Sequence, residues 1–150
     1  MTSARTSLVI RRLQMVIGLQ MQDVLRPLDL TPAQYALLSI VAHRPALSAT
    51  QLARRLGVKL PTIAEFIATL ERKKWISRAE DQNNRRVLRI LITPAGRKLL
   101  AQSERLVNRL EARLFGVLQP REFERFHRAA VTILRAANLD ASRRADDGSA

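Results

Sequence analysis

The chain has 150 residues, of which 47% are hydrophobic, and this is enough for one domain with a packed core. It has no cysteine, which excludes disulfides, thiol catalysis and cysteine-based zinc sites, and no apolar run approaches the roughly 20 residues that span a bilayer. The net charge of +13 favours a polyanionic partner. Because the N-terminus does not read as a signal peptide, we expect a cytoplasmic protein without a membrane partner.

The positive charge is concentrated in the middle of the chain. Residues 48–98 carry twelve basic and four acidic side chains, a net +8, whereas residues 1–47 carry +3 and residues 99–150 carry +2. A generally basic surface would spread the charge more evenly. The distribution therefore predicts one basic module inside a helical scaffold.

The first predicted element is a helix from Ser7 to about Arg26. Its apolar residues occupy more than half of the helix circumference: Leu8, Val9, Ile10, Leu13, Met15, Val16, Ile17, Leu19, Met21, Val24 and Leu25. A helix that is apolar on two sides needs cover on two sides. In a chain this short, we expect another subunit to supply the second cover.

Two capping boxes then predict the starts of two helices. The first runs from Thr31 to Gln34 and opens a helix that ends before Pro45. The second, Ser48 with Gln51, opens a short helix that Gly57 terminates. A further helix begins within four residues, with Pro61 in its first turn. A short helix, a tight turn with glycine and a second helix form the helix-turn-helix pattern.

A short β-hairpin is predicted directly after this motif. The segments Ile76 to Glu80 and Val87 to Ile92 read as strands, and the polar turn between them ends in Arg85 and Arg86. This is a wing with a basic tip. A long helix capped by Thr93 and Pro94 follows, predicted to run to about Val117.

Pro120 opens the final predicted helix. The tail of residues 140–150 is small, polar and mixed in charge, so we expect it to be disordered. The fold class is therefore mainly α with a small β-hairpin wing.

The second helix of the motif has an outer face that fits a major groove. Opposite its apolar residues lie Pro61, Glu65, Ala68, Thr69 and Arg72, from which side chains reach base edges. Lys59 and Thr62 at its N-terminal end are placed to hold phosphate.

Arg85 and Arg86 on the narrow turn suit a minor groove, where negative potential is focused. A solvated helix face and an ordinary solvated turn are the plain alternatives for these two surfaces.

With these residues in place, the chain resembles the MarR family of bacterial transcription regulators. The likeness covers roughly residues 8–138. Its most specific part is the wing, a turn containing Asp81, then Arg86, a short strand and Thr93-x-x-Gly96. The other matching pieces are Leu30 to Tyr35, Gln51 to Ala53, Leu56 to Val58 and Leu70 to Lys73.

The resemblance implies a homodimer that binds double-stranded DNA at a pseudo-palindromic site. It places the winged helix-turn-helix module at about residues 31–98 and interdigitated dimerisation helices at about 7–28 and 95–138. Many members of the family are repressors released by small phenolic or lipophilic ligands. By position, Arg86 corresponds to the arginine that reaches the minor groove.

Three residues depart from the family pattern. Asn84 stands where an aspartate usually helps to fix the wing arginine, so charge assistance is lost. Lys74 replaces the common glycine after the recognition helix. Glu65 lies on the groove face, where a carboxylate repels phosphate but accepts a hydrogen bond from cytosine N4.

Catalytic and cofactor chemistry find little support. The sequence has no nucleophile elbow, phosphate loop or paired-carboxylate pattern, so neither an enzyme nor a cofactor is expected. His43 and His127 lack acidic neighbours at metal-ligand spacing. Tyr35 and Trp75 suit core packing better than an effector pocket, whose residues the sequence does not identify.

Three functional hypotheses remain open at this point. The leading one is a sequence-specific repressor, whether or not a ligand controls it. The second is a basic architectural protein that coats DNA with little preference. The third is an interaction module that kept the fold for a protein or ligand partner.

Overall fold

The computed structural model describes residues 5–44 and 46–147, with side chains up to residue 137. The elements in chain order are α1 (Thr6–Leu25), a short 3-10 helix (Arg26–Leu28), α2 (Pro32–His43), β1 (Leu47–Ser48), α3 (Ala49–Leu56), α4 (Leu60–Arg72), β2 (Ile76–Glu80), β3 (Leu88–Ile92), α5 (Pro94–Phe115) and α6 (Pro120–Asp147). The described residues up to Leu110 form one compact unit, and the described residues from Glu111 onward form a second. None of the described helices is both long enough and apolar enough to cross a membrane.

Both predicted capping boxes are present. The Thr31 hydroxyl accepts a hydrogen bond from the amide of Gln34, whose side-chain oxygen accepts one from the amide of Thr31, at 3.2 and 3.1 Å. Ser48 and Gln51 make the same exchange at 3.3 and 2.9 Å. Each box satisfies two amides that a helix N-terminus leaves free. Gly57 ends α3 in the left-handed conformation, at φ 66°.

The wing is a three-stranded antiparallel sheet in the order β1-β3-β2. The two predicted strands pair from Ile76 opposite Ile92 to Glu80 opposite Leu88. The third strand, Leu47–Ser48, was not predicted, because two residues are too short for a periodic pattern. Ser48 thus pairs with β3 and caps α3 at the same time, which attaches the sheet to the helix-turn-helix.

The core of the first unit is formed by apolar side chains from one face of each of its helices, packed around the sheet. Its fully buried large side chains are Leu25, Leu37, Leu38, Val41, Leu52, Ile63, Ile67, Leu70, Ile76 and Ile90. Helix α5 adds Leu99, Leu100 and Val107. Tyr35 and Trp75 are partly buried and pack against this core, which agrees with the packing interpretation of both residues.

Close backbone contacts hold the start of α5 against the residues that follow α4. The carbonyl of Trp75 accepts a hydrogen bond from the amide of Thr93 at 3.0 Å. The Thr93 hydroxyl donates to the carbonyl of Lys74 at 2.7 Å and accepts from the amide of Gly96 at 3.0 Å. A Cβ atom on Gly96 would lie 2.0 Å from the Trp75 oxygen. The Thr93-x-x-Gly96 motif is therefore a helix cap joined to a close backbone contact.

The second unit is built on aromatic contacts between the end of α5 and the first turns of α6. The ring of Phe115 lies 5.3 Å from that of Phe123 and 6.0 Å from that of Phe126, centre to centre. Helix α5 ends at Phe115, two residues before the predicted limit.

Helix α6 continues to Asp147, whereas the sequence predicted a disordered tail from residue 140. Alanine and arginine recur between residues 141 and 145, and α6 contains no glycine, so local propensity allows the helix to continue. Residues 148–150 lie outside the described part of the chain.

We predict that Gly96→Ala destabilises the protein by at least about 2 kcal/mol, because the added methyl group must displace backbone rather than a flexible side chain. Urea unfolding measured at fixed protein concentration is the test. Gly18→Ala is the matched control, since a Cβ there meets only the Gln14 side chain at 3.9 Å and an alanine favours the helix by about 0.5–1 kcal/mol. Equal stability of Gly96→Ala and the parent protein would contradict the close contact.

Candidate nucleic-acid interface

Helix α4 presents one buried and one exposed face, as its sequence pattern predicts. Lys59 is the N-cap residue and Pro61 lies in the first turn, where its missing amide is not needed. Ile63, Ile67 and Leu70 are buried, and Phe66 is half-buried against the core. The helix is therefore held on one side only, and its other side is open to solvent.

The predicted base-reading and phosphate-binding residues lie on or beside this open side. Lys59, Pro61, Glu65 and Arg72 are exposed, as is Ala68, while Thr62 and Thr69 are half-buried at its margin. The structure brings these residues into one surface, which we call the α4 face: Lys59, Pro61, Thr62, Glu65, Ala68, Thr69 and Arg72.

The end of α4 is set by a left-handed residue that is not glycine. Lys74 has φ 60°. Its amide donates a hydrogen bond to the carbonyl of Glu71 at 2.9 Å, and the amide of Trp75 donates one to the carbonyl of Leu70 at 3.0 Å. This is the Schellman arrangement, which usually contains glycine at the left-handed position. The departure at Lys74 therefore leaves the geometry of the helix end intact.

The loop between β2 and β3 is organised by one carboxylate. Oδ1 of Asp81 accepts hydrogen bonds from the amides of Asn83 and Asn84, at 2.8 and 3.0 Å. Its Oδ2 accepts one from Nε of Arg89 at 2.6 Å. The hydrogen bond from Arg89, followed by that from the Asn83 amide, holds the pKa of Asp81 below its ordinary value.

Arg89 connects this loop to the helix-turn-helix. While its Nε bonds to Asp81, its second nitrogen donates to Oε1 of Gln51 at 3.1 Å. The same Gln51 oxygen accepts from the amide of Ser48 in the capping box of α3. A continuous set of hydrogen bonds thus runs from the wing tip to the first turn of α3.

Asn84, Arg85 and Arg86 are exposed at the wing tip, as predicted. Oδ1 of Asn84 accepts a hydrogen bond from the backbone amide of Arg86 at 3.2 Å. Asn84 therefore orders the main chain at Arg86 and does not bind its guanidinium. Within the described residues, the guanidinium of Arg86 has no hydrogen-bonding partner.

Arg86 borders a groove between the wing and the helix-turn-helix, with a volume of about 280 Å³. The groove is lined by Ser48, Ala49, Thr50, Ala64, Ile67, Arg78, Arg86, Leu88 and Ile90. Arg78 is held by Glu71 at 2.9 Å, whereas Arg86 is free to reach outward. Ala64 and Ile67 of α4 and Arg86 of the wing therefore line the same groove.

Sequence reasoning missed the two residues that order the wing. The sequence pattern places Asp81 only in a polar turn and Arg89 only within the predicted strand from Val87 to Ile92. Successive side chains of a strand point to opposite faces of the sheet, so the sequence does place Arg89 on the face opposite to buried Ile90. Its partner Gln51 is 38 residues away, so no local pattern indicates the contact.

A winged helix-turn-helix is the fold class that this geometry defines. Residues 30–88, which form most of that module, match the model of the MarR family. Over this module the chain is therefore similar to the MarR family.

Solved structures with this fold include three that cover most of the chain. The transcriptional regulator BldR from Sulfolobus solfataricus is 22% identical with a TM-score of 0.80, and the match covers 87% of this chain and 92% of that one. A mutant of MarR from E. coli in complex with operator DNA is 22% identical at TM-score 0.77, covering 85% and 92%. The Mycobacterium tuberculosis MarR family protein RV2887, in complex with salicylic acid, is 24% identical at 0.72, covering 88% and 98%. At these identities the likeness establishes a shared fold.

We predict that Asp81 titrates below the ordinary aspartate range and that wing order depends on its charge. Because the pKa is lowered in the folded state, its stabilising contribution is complete above the ordinary value of 3.8 and is lost as pH falls through the lowered pKa. Carboxylate NMR titration measures the shift directly.

Asp81→Asn should raise amide exchange at Asn83 and Asn84 by roughly tenfold at neutral pH, the change expected when one charge-assisted hydrogen bond is lost. Glu80→Gln, which removes the neighbouring exposed carboxylate, serves as the control and should leave that exchange unchanged. Unaltered exchange in Asp81→Asn would exclude Asp81 as the organiser of the loop.

Proposed function

We propose that this protein is a cytoplasmic transcription regulator that binds a pseudo-palindromic operator in double-stranded DNA as a homodimer. Its output is repression, and a small phenolic or lipophilic ligand releases it from DNA. The α4 face enters the major groove and Arg86 enters the adjacent minor groove. The contact residues are those predicted from the sequence: Lys59, Pro61, Thr62, Glu65, Thr69, Arg72, Asn84, Arg85 and Arg86.

The observation that carries this proposal is the guanidinium of Arg86, which is unpaired among the described residues and stands on an ordered wing that shares a groove with α4. Arginine in a narrow minor groove gains from the focused negative potential there. The module also contains most of the net positive charge of the chain, which suits a phosphate backbone. The similar fold of E. coli MarR bound to operator DNA supports the same docking geometry.

Dimerisation is supported by the two-sided character of α1. Leu13, Ile17 and Met21 are at least partly shielded along one side, whereas Leu19 on the opposite side is 62% exposed. The exposed apolar residues of this helix are Leu8, Val9, Ile10, Met15, Val16 and Leu19. Each large apolar side chain gains about 1.5–3 kcal/mol on full burial, so a second subunit is the favourable cover.

Ligand control is supported by a cavity that touches the recognition helix. It has a volume of about 460 Å³, within the range of small-molecule sites. Its lining is cationic and polar: Gln22, Arg26, Asp29, Leu30, Thr31, Gln34, Thr69, Arg72 and Lys73. Because Thr69 and Arg72 belong to the α4 face, an anionic ligand held there would compete with DNA.

The architectural alternative is favoured by the net charge of +13 alone. It predicts equal binding to any duplex and a steep dependence of affinity on salt, because phosphate contacts would supply all of the free energy. A protein with this function has no need of an ordered wing arginine. The specific regulator therefore accounts for more of the structure.

The deciding experiment is a binding titration at two or three salt concentrations on two duplexes of equal length. One is the DNA directly upstream of the protein's own gene, and the other is its shuffled sequence. We expect an affinity ratio of about 10³ or more.

Arg86→Ala should weaken operator binding by at least about tenfold, as expected for a lost charged hydrogen bond, without changing thermal stability. Salicylate added to the complex tests ligand release.

Arg121→Ala removes the same charge from the exposed start of α6 and serves as the control for Arg86→Ala. It should leave the affinity ratio unchanged. Undiminished operator binding by Arg86→Ala would reject the role of the wing. Equal binding to both duplexes, followed by failure to enrich any sequence from random DNA, would favour the architectural alternative.

We predict that Leu19→Glu weakens the dimer by at least about a hundredfold, because the interface would have to bury an unpaired charge. Sedimentation velocity over a concentration series measures the dissociation constant. Gln14→Glu introduces the same charge on α1 outside the stripe formed by Leu8, Met15 and Leu19, and should leave the dimer intact. A monomeric parent protein, or an unchanged dimer in Leu19→Glu, would contradict this interface.

A further inference from the structure

The α4 face has a single carboxylate between two distant cations. Pro61, Glu65, Ala68 and Arg72 recur at helical spacing and therefore lie in one line along the helix. At 1.5 Å per residue, the positions of Lys59 and Arg72 are about 9 and 10 Å from Glu65 along the axis. Neither cation is placed to form an ion pair with it.

The second carboxylate of α4 has a different environment. Oε2 of Glu71 accepts a hydrogen bond from Nε of Arg78 at 2.9 Å, which neutralises it within the module. In the described part of the chain, the Glu65 carboxylate has no hydrogen-bond or ion-pair partner. Its acceptor oxygens are therefore available to a ligand that approaches this face.

An unpaired carboxylate is unfavourable on a surface that approaches a polyanion, unless it meets a hydrogen-bond donor. In the major groove, the exposed donors are the amino groups of cytosine N4 and adenine N6. A carboxylate only accepts hydrogen bonds, and adenine also presents the acceptor N7 beside its amino group. Cytosine is therefore the base whose edge suits Glu65 best.

The side chains around Glu65 allow close approach to the base edges. Ala64 and Ala68 are both exposed, and their short side chains do not hold the helix away from the groove floor. Their methyl groups suit contact with the methyl group of thymine. The middle of α4 thus offers one strong acceptor, with one small apolar side chain on the α4 face and another at its border.

We propose that Glu65 is a specificity-determining residue that reads cytosine through its N4 amino group, once in each half of the operator. This inference rests on the proposed function, since it assigns a base preference to the α4 face. The exposed methyl groups of Ala64 and Ala68 favour thymine at neighbouring steps. Glu65 therefore selects a sequence, and its repulsion of phosphate is compensated by the cytosine amino group.

Selection from a random double-stranded DNA library tests this assignment with the full-length protein and its Glu65→Gln and Glu65→Ala variants. The parent protein should enrich a pseudo-palindromic site with a preferred C·G pair in each half. The base preference at that pair should change when Glu65 is substituted. Glu65→Gln should change the preference at that pair to adenine, which glutamine binds through N6 and N7. Glu65→Ala should remove the preference there, a loss of about tenfold to a hundredfold in discrimination.

Glu80→Gln removes an exposed carboxylate from the neighbouring strand and should leave the selected site unchanged. The three outcomes are distinguishable. A shift in the selected base supports the assignment. An identical site for all variants, with affinity raised equally for every duplex, would overturn it while leaving the proposed function intact. No enriched site for the parent protein would instead reject the proposed function.

Discussion

The carbonyl group of Trp75 faces the amide of Thr93 and the Cα of Gly96 at a distance that excludes any side chain at Gly96. This contact joins the end of the recognition helix, the last strand and the first turn of α5. Because backbone atoms on both sides are involved, it cannot adjust by a rotamer change. The direction in which α4 and the wing extend from the core depends on this junction.

The wing has no buried apolar side chain at its tip, and polar groups maintain its order instead. Asp81 holds the turn amides, Arg89 holds Asp81, and Gln51 receives Arg89 at the cap of α3. Such a network limits the conformations of a solvent-exposed loop in the absence of a bound partner. Less conformational entropy is then lost on binding, so an arginine on this loop binds more favourably.

Charge has three separate uses in the winged module. Arg78 and Arg89 are paired with carboxylates and stabilise the structure, at 2.9 and 2.6 Å. Arg86 has no hydrogen-bonding partner among the described residues and is the residue that the proposed function assigns to DNA. Glu65 has the opposite sign to its surroundings and contributes base selectivity in the proposed complex with DNA. A net charge alone, even one of +13, does not distinguish these uses.

The sequence by itself determined the features that depend on neighbouring residues. Capping boxes at Thr31 and Ser48, the glycine after α3, the apolar period of α4 and the hairpin were all readable, because hydrogen bonds and side-chain periods within a few residues encode them.

Only the tertiary structure decided the strand at Leu47–Ser48, the bond from Arg89 to Gln51 and the contact at Gly96. Each of these contacts joins segments that are about 20 to 40 residues apart in the sequence. A local sequence pattern does not indicate which distant residue will contact a given position.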